Sequence, residues 1–393
     1  MEVVVKRSPS TVVRPAEPEP EPAAATNGAG GTIKLSSFDR VCAMTPITAL
    51  LVFEHPIREA AETLKGALSR ALVPYYPLSG RLVAGPDEVH MDHIRCSGEG
   101  AEFVAASANR ALKDVEFFAR SPGTTTPQLV EELIAIYHPA ERCGPADPLL
   151  LMQVTEFSCG GFVVAVTWNH GVADGVGMAQ FLQAVGELAR GSPSPSLAPV
   201  RWDESLLSLP PPTVQSNKPL GLVCLDVTVP SSTIERIRAE HVKAKDGYYG
   251  NCIVTLRVMA TAGTVAKADV TDLIEMIKRA KDEVPDQLLA KNDDGCNGDD
   301  QQPAMDEKLL DELRYNLLHL STWRNIGFEK VDFGGGTPER VMCYMQPSIQ
   351  EWPYCVVSLP CKEKGGASSV SVVSVCVKEE HADAFLGELA RFT

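Results

Sequence analysis

The amino-acid sequence predicts an α/β fold with helices and mixed sheets in two lobes. Helical and strand-like periodicities occur in both halves, no internal repeat of fixed period is present, and one long Pro/Ser-rich stretch divides the chain. That stretch covers 192–220 and lacks periodicity, which is typical of a linker. We therefore expect an N-terminal lobe at 1–191, a crossover linker at 192–220 and a C-terminal lobe at 221–393, in which the last strands can exchange between lobes.

The first lobe shows three clear elements. Apolar residues recur at helical spacing over 57–72, which predicts an amphipathic helix. Two β-rich runs at 149–157 and 162–169 flank a Gly-Gly turn and predict a hairpin. A helix is expected to follow over 177–190 and to end at Gly191. A further helix is expected at 127–137.

The second lobe mixes strands and helices in the same way. Strand-like runs occupy 222–229, 340–345, 353–359 and 368–377, and helical patterns occupy 231–240, 270–281 and 379–392.

Composition excludes two classes of partner. Of 393 residues, 36 are basic and 51 acidic, a formal net charge of −15. Nucleic acids and anionic membranes are bound by basic surfaces, so we expect neither partner. A small anionic ligand remains compatible with this charge, because a local basic pocket can form on an acidic protein.

Cysteine usage and the N-terminal residues predict a soluble cytoplasmic protein. The eleven cysteines are scattered, odd in number, and show neither CxxC nor zinc-type spacing, which is typical of a reducing compartment. No secretory signal is visible, and no segment reaches the ~18–20 apolar residues of a membrane span.

The stretch "NHGVADG" concentrates the candidate chemistry. It places His170 after a predicted strand, with Asp174 four residues on, and its Gly171 and Gly175, together with Gly177 just beyond it, are expected to permit close approach and positive φ. A neutral imidazole can take a proton from a hydroxyl or an amine, which suits a general base. Asp174 could then orient the ring or fix the loop. In a simpler interpretation His170 bonds backbone and Asp174 caps the next helix.

Other reactive motifs are absent or poor. The Gly-rich segment 331–341 leads into a strand-like run and lacks the lysine of a P-loop, so a structural turn is the better interpretation. Neither GxSxG nor HExxH occurs, which argues against a serine hydrolase and against a metal site.

The chain resembles the plant BAHD acyltransferase family, whose hallmarks are HxxxD and DFGWG. The segments that carry the resemblance are "NHGVADG", "DFGGGTP", "LSSFDR", "LKGALSRALVPYYPLSGRL", "GYYGNC" and "LSTWRN", which cover most of the chain in the family's order. The resemblance implies a monomer of two mixed-sheet lobes of the CoA-dependent acyltransferase type, with a channel between them.

The resemblance also implies an activity and its residues. The chain would move an acyl group from a CoA thioester to an alcohol or amine of a plant secondary metabolite, with acyl-CoA as co-substrate and no tightly bound cofactor. His170 matches the base that deprotonates the acceptor, without an acyl-enzyme. Asp174 matches the motif aspartate, which an arginine holds in the family. Ser321 and Trp323 match residues that support the oxyanion, and both side chains can donate a hydrogen bond.

The remaining matches concern CoA and a structural motif. Lys278, Arg279 and Lys281 lie where the family has its CoA-side helix and are candidates for the CoA phosphates; an ordinary solvated helix face is the other interpretation. The DFGWG-type structural motif is matched by Asp332, Phe333, Gly334 and Gly336, and Gly335 stands where the family usually has Trp.

The second lobe is expected to be shortened. Between "IERIRAE" and "GYYGNC" the family carries several dozen more residues, whereas only 241–246 separate them here. The missing stretch would supply the arginine, which would leave Asp174 unpaired, and an unpaired buried carboxylate is costly. This favours an alternative function: a catalytically silent relative that keeps the scaffold as a binding or regulatory protein.

Overall fold

The largest described sheet of the protein is mixed and has seven strands, as seen in a computed structural model. The structure describes residues 3–16, 31–86, 91–115, 127–135, 143–201, 223–230, 246–251, 272, 275, 279, 318–344, 353–358 and 369–389. The described strands are β1 (Val5–Arg7), β2 (Thr11–Val13), β3 (Thr32–Lys34), β4 (Pro46–Phe53), β5 (Arg81–Ala84), β6 (Met91–Arg95), β7 (Ala101–Ala108), β8 (Leu150–Phe157), β9 (Phe162–Asn169), β10 (Val223–Pro230), β11 (His319–Thr322), β12 (Arg340–Tyr344), β13 (Tyr354–Ser358) and β14 (Ser369–Val377). The described helices are α1 (Ser37–Cys42), α2 (Ala60–Ala71), α3 (Pro127–Leu133), α4 (Gly175–Ala189) and α5 (Ala382–Leu389).

The described strands form three sheets. The large sheet has the order β1-β7-β8-β9-β4-β12, with β2 also paired to β7; its β7 and β8 are parallel and its other pairs antiparallel. A second mixed sheet has the order β10-β14-β13-β11, and a small antiparallel sheet has the order β3-β6-β5. The mixed α/β architecture predicted from the sequence is therefore present.

Strands β4 and β9 are buried on both faces, which explains their nearly unbroken apolar sequences. Along β4, Ala49, Leu51 and Phe53 belong to the main core, whereas Leu50 and Val52 belong to a second core on the opposite face. The alternation follows from the two-residue period of a strand. The predicted hairpin of β8 and β9 is confirmed.

Helices α2 and α4 pack against each other over the main core. The predicted amphipathic stripe on α2 is confirmed, since Leu64 and Leu68 are fully buried. Helix α4 ends as expected: Arg190 is the C-cap residue, and Gly191 adopts a φ of 93°.

Strand β12, from the predicted C-terminal lobe, pairs with β4 at the edge of the large sheet, so this sheet includes residues beyond the predicted linker.

Two of the helices predicted for the second lobe are described to different extents. The expected helix at 231–240 lies outside the described residues. Within the expected helix at 270–281, residues 272, 275 and 279 are helical. Among the described helices, none has the length and apolar character needed to cross a membrane.

Candidate active site

The loop that carries His170 is fixed at both ends. Strand β9 ends one residue before it, and α4 begins at Gly175. The backbone N–H of His170 donates to the carbonyl of Thr45 at 2.8 Å, and the indole N–H of Trp168 donates to the carbonyl of Ala173 at 2.9 Å. The first bond ties the loop to the segment between α1 and β4, and the second ties it to the end of β9, so the imidazole has a defined position.

Glycines let neighbouring backbone approach this loop. A Cβ on Gly171 would lie 2.8 Å from the Cα of Ala43, and a Cβ on Gly177 would overlap the carbonyl of Tyr249. The expected close approach is therefore present. The expected positive φ is wrong, because Gly171, Gly175 and Gly177 all have ordinary φ angles. Space, not backbone conformation, is what glycine provides here.

A buried chain of polar groups holds one side of the His170 ring. Nδ1 lies 2.9 Å from Oδ1 of Asn251. Nδ2 of Asn251 donates to Oδ1 of Asp39 at 2.8 Å and to the backbone carbonyl of His170 at 2.7 Å. Asp39 and Asn251 are completely buried, and the Arg201 guanidinium lies 3.1 Å from Oδ2 of Asp39. The buried carboxylate is thus paired with a cation, as burial of a charge requires.

A short bridge between two distant segments assembles this chain of groups. The N–H of Val200 donates to the carbonyl of Gly247 at 2.8 Å, and the N–H of Tyr249 donates to the carbonyl of Val200 at 3.0 Å. Arg201 and Asn251 follow this bridge, one on each of the two bridged segments, and both side chains reach Asp39. Arg201 also donates to the carbonyl of Gly171 at 3.3 Å.

The Cys42 thiol is a second neighbour of the His170 ring. It lies three residues after Asp39 in α1, a spacing that places both side chains on one helix face. Burial is the largest single influence on the pKa of His170 and lowers it. The electrostatic interaction and hydrogen bond with Cys42, together with the charge of Asp174, outweigh burial and raise the pKa of His170 to about 9. The ring of the free protein therefore favours its protonated form at neutral pH.

Asp174 is the N-cap residue of α4. Its Oδ1 accepts a hydrogen bond from the N–H of Gly177 at 2.9 Å, and only 5% of the residue is exposed. The expectation that shortening of the chain leaves this carboxylate unpaired is therefore wrong. Capping is the role that the simpler interpretation of the motif assigns to it.

Trp323 lies close to the strand that leads into the His170 loop. Its buried ring stacks on Phe328 with centroids 5.1 Å apart, and its centroid lies 6.3 Å from that of Trp168, two residues before His170. Ser321 is exposed near the end of β11.

The DFGGG segment forms a tight turn before β12. Oδ1 of Asp332 accepts from the N–H groups of Gly334 at 2.7 Å and Gly336 at 2.9 Å, and these glycines have φ angles of 117° and 99°. Phe333 is buried, with its ring centroid 5.1 Å from that of Phe53. The contacts are those of a structural turn.

Gly335 lies directly against backbone. A Cβ at this position would lie 2.8 Å from the carbonyl oxygen of His55. The His55 backbone therefore occupies the space next to Gly335, where the resemblance implies an aromatic side chain. A Trp here would require the backbone to move.

Arg279 is the one candidate CoA ligand that the structure describes. It is exposed and helical, as are Asp272 and Glu275. Lys278 and Lys281 lie outside the described residues. An exposed helical arginine fits both a phosphate ligand and a solvated helix face.

Four residues at the site carry no sequence-based prediction: Asp39, Cys42, Arg201 and Asn251. Asp39 and Asn251 belong to "LSSFDR" and "GYYGNC", so a role could have been sought within these two segments. Arg201 lies in the predicted linker, where no local pattern marks it.

Comparison with known proteins identifies the family. The model of the Transferase family matches residues 4–240 and 233–388. The two matches meet at 233–240, next to the place where residues of the family are expected to be missing.

The relatives extend over the whole chain. "Acyl transferase 15" from Oryza sativa subsp. japonica is 40% identical over 457 aligned positions, covering 100% of this chain and 99% of that protein. The 457 positions exceed the 393 residues of this chain by 64, so the relative contains stretches that this chain lacks.

Two solved structures share the fold. The crystal structure of vinorine synthase matches with a TM-score of 0.66 and 16% identity, over 94% of each chain. The structure of TRI101 from F. sporotrichioides, complexed with coenzyme A and T-2, matches with a TM-score of 0.61 and 14% identity, over 90% of this chain and 97% of that one. The chain therefore belongs to the Transferase family of BAHD acyltransferases and is an acyltransferase.

Proposed function

We propose that the protein transfers an acyl group from a CoA thioester directly to an alcohol or amine of a plant secondary metabolite, with His170 as the general base. The observation that carries this proposal is a partly exposed imidazole at a strand end whose inner side is held by the buried pair of Asn251 and Asp39. A base must meet substrate on one side while the protein orients it from the other.

The proposed reaction has two proton transfers and no acyl-enzyme. His170 takes the proton of the acceptor hydroxyl or amine as its oxygen or nitrogen attacks the thioester carbonyl. The tetrahedral oxyanion then collapses, the C–S bond breaks, and the CoA sulfur leaves with the proton from His170. We assign support of the oxyanion to the Ser321 hydroxyl and the Trp323 N–H, groups that can donate to developing negative charge.

Asp174 is given an indirect role in this proposal. As the N-cap of α4 it fixes the loop, and its negative charge favours the imidazolium form of His170. It therefore stabilises the protonated ring that forms during acyl transfer.

The substrates follow from the family and from charge. A TRI101 structure contains coenzyme A, which supports acyl-CoA as co-substrate here. We propose Lys278, Arg279 and Lys281 as ligands of its phosphates, since a chain of charge −15 needs local basic groups to bind an anion. The proposal includes a monomeric, cytoplasmic protein with no bound metal and no nucleic-acid partner; acetyl, malonyl, benzoyl and hydroxycinnamoyl donors are all compatible with it.

One observation favours a second candidate function, a catalytically silent relative that keeps the scaffold for binding. The family model matches in two parts that overlap at 233–240, and 64 positions of the alignment with the rice relative have no residue of this chain. The buried hydrogen bonds that hold the His170 ring favour the enzyme.

Thiol release distinguishes the two functions. The purified chain is incubated with a panel of acyl-CoAs and mixed alcohol and amine acceptors, and free CoA thiol is measured. We expect acceptor-dependent release that His170→Ala abolishes and that His381→Ala, a change at an exposed surface histidine, leaves intact. No release by folded wild-type protein across the panel would favour the silent relative, and full activity of His170→Ala would overturn its role as base.

A further inference from the structure

We propose that Asn251, held in place by Asp39, is a positioning residue that keeps the proton of neutral His170 on Nδ1 and so leaves Nε2 as the proton acceptor. The inference rests on the proposed function only in identifying which nitrogen reacts. The position of the proton is a property of the free protein and can be measured without substrate.

The orientation of the Asn251 amide follows from its other partners. Its Nδ2 lies 2.8 Å from Oδ1 of Asp39 and 2.7 Å from the carbonyl of His170, and both of these oxygens are acceptors. An amide turned the other way would place its own oxygen against two oxygens. The Nδ2 group therefore faces Asp39, and Oδ1 must face the imidazole.

The tautomer of His170 follows from that orientation. An amide oxygen has no proton to donate, so the contact of 2.9 Å between Oδ1 and Nδ1 is a hydrogen bond only if Nδ1 carries the proton. In a neutral imidazole one nitrogen is the donor and the other the acceptor. The acceptor lone pair of the neutral ring is therefore on Nε2.

Asp39 makes this arrangement rigid. One carboxylate oxygen accepts from the side chain of Asn251 at 2.8 Å and from its backbone N–H at 3.2 Å. The other accepts from the N–H of Ser36 at 2.9 Å and lies 3.1 Å from Arg201. With its charge compensated by the guanidinium, Asp39 acts as an acceptor that prevents rotation of the Asn251 amide.

Selective ¹⁵N labelling of histidine tests the assignment directly. Long-range ¹H–¹⁵N spectra distinguish Nδ1–H from Nε2–H rings, and the His170 signals are those lost in His170→Ala. Because the pKa of His170 is about 9, the spectra are recorded near pH 10, where most rings are neutral. We expect the Nδ1–H form in the wild type and a shift toward Nε2–H in Asn251→Ala.

Kinetics give a second readout. Asn251→Ala should lower kcat by about 10- to 100-fold, by analogy with the loss of a partner that orients a metal-binding histidine, with little change in the KM for acyl-CoA. Asp39→Asn should shift the tautomer in the same direction, because the anchored acceptor becomes an amide that can itself donate.

Asn169→Ala is the matched control. Asn169 is the buried last residue of β9, directly before His170. Its Oδ1 accepts from the N–H of Gly171 at 2.9 Å and its Nδ2 donates to the sulfur of Cys143 at 2.9 Å. Its loss should lower stability and leave the tautomer unchanged. An Nε2–H ring in the wild type, or an Nδ1–H ring retained in Asn251→Ala, would overturn the inference. An Nδ1–H ring in a wild-type protein without transferase activity would support the inference and contradict the proposed function.

Discussion

At the residue scale, the contact between His170 and Cys42 controls how much of the proposed base is available. Burial alone would lower the pKa of the ring, and the thiol reverses that effect. With a pKa of about 9, about one ring in a hundred is neutral at pH 7. The proposed base, His170, thus lies beside a thiol that keeps most of the rings protonated at pH 7.

The pH dependence of acyl transfer should show this coupling. Because only the neutral ring accepts a proton, kcat/KM of the wild type should rise with pH and level off above about pH 9. In Cys42→Ser the electrostatic interaction and hydrogen bond of the thiol with the ring are lost, so the rising part of the kcat/KM profile should move toward the ordinary histidine pKa of about 6.5. The measurement is kcat/KM between about pH 6 and pH 10.

Cys159→Ser is the control for the effect of removing a thiol. Cys159 is a free, exposed cysteine in the turn between β8 and β9. Its replacement should leave the rising part of the profile where it is. An unmoved profile in Cys42→Ser would show that the thiol does not set the pKa of His170.

Asp174 acts as a helix cap and as a charge, and two variants separate these effects. Asp174→Ala removes the acceptor for the Gly177 N–H and should lower the free energy of unfolding by about 1 kcal/mol. Asp174→Asn keeps an acceptor and should retain most of that stability. Both variants lose the negative charge, so both should lower the pKa of His170. Urea denaturation and the pH profile report the two effects, and equal stability of the two variants would argue against capping.

At the element scale, α4 is packed so closely against the 246–251 segment at Gly177 that no side chain fits at that position. The Tyr249 carbonyl occupies the space of a Cβ on Gly177, and Gln180 donates to the carbonyl of Gly247 at 2.9 Å. The helix therefore positions the backbone that carries Asn251. In this way the packing of one element determines the geometry of the site.

Two glycine-to-alanine changes should have opposite effects. Gly66 is an exposed position inside α2 where an added Cβ would meet no atom within 4 Å, so Gly66→Ala should raise the free energy of unfolding by about 0.5–1 kcal/mol through helix propensity. Gly177→Ala should lower it by about 1–3 kcal/mol, because the helix or the 246–251 segment must move. Urea denaturation of both variants tests the pair.

The Gly177→Ala variant should also lose activity, since any shift of Tyr249 displaces Asn251. A Gly177→Ala protein as stable and as active as the wild type would show that the close packing of α4 is not needed.

At the scale of the whole molecule, the described site is assembled next to the region where shortening is expected. Residues 246–251, which follow that region, are bridged to Val200 and held by α4. Strand β12, also from the second half, completes the edge of the large sheet next to β4. Segments of the second half therefore pack directly against the first half.

Thermal unfolding with CoA tests whether the molecule still forms a binding site. A ligand present at 100 times its Kd stabilises the folded state by about 2.7 kcal/mol, so a cooperative transition should move to higher temperature as CoA is added. Pyrophosphate at the same concentration controls for the effect of charge alone. A broad transition that CoA does not move would favour the silent relative.

Local patterns in the sequence determined the elements on which the site is built. The hairpin of β8 and β9, the stripe of α2 and the helix α4 after Asp174 could be predicted because strand and helix periods and caps depend on residues close in sequence. The position of His170 at a strand end followed from the same patterns.

Only the tertiary structure decided what surrounds His170. Asn251 lies 81 residues from His170 and 212 residues from Asp39 in the chain, and no local period relates them. Their contacts depend on the bridge between Val200 and Tyr248 and on the close approach at Gly177, which form only when distant segments pack. The sequence thus determined a histidine on a loop, whereas packing of distant segments decided its pKa and its partners.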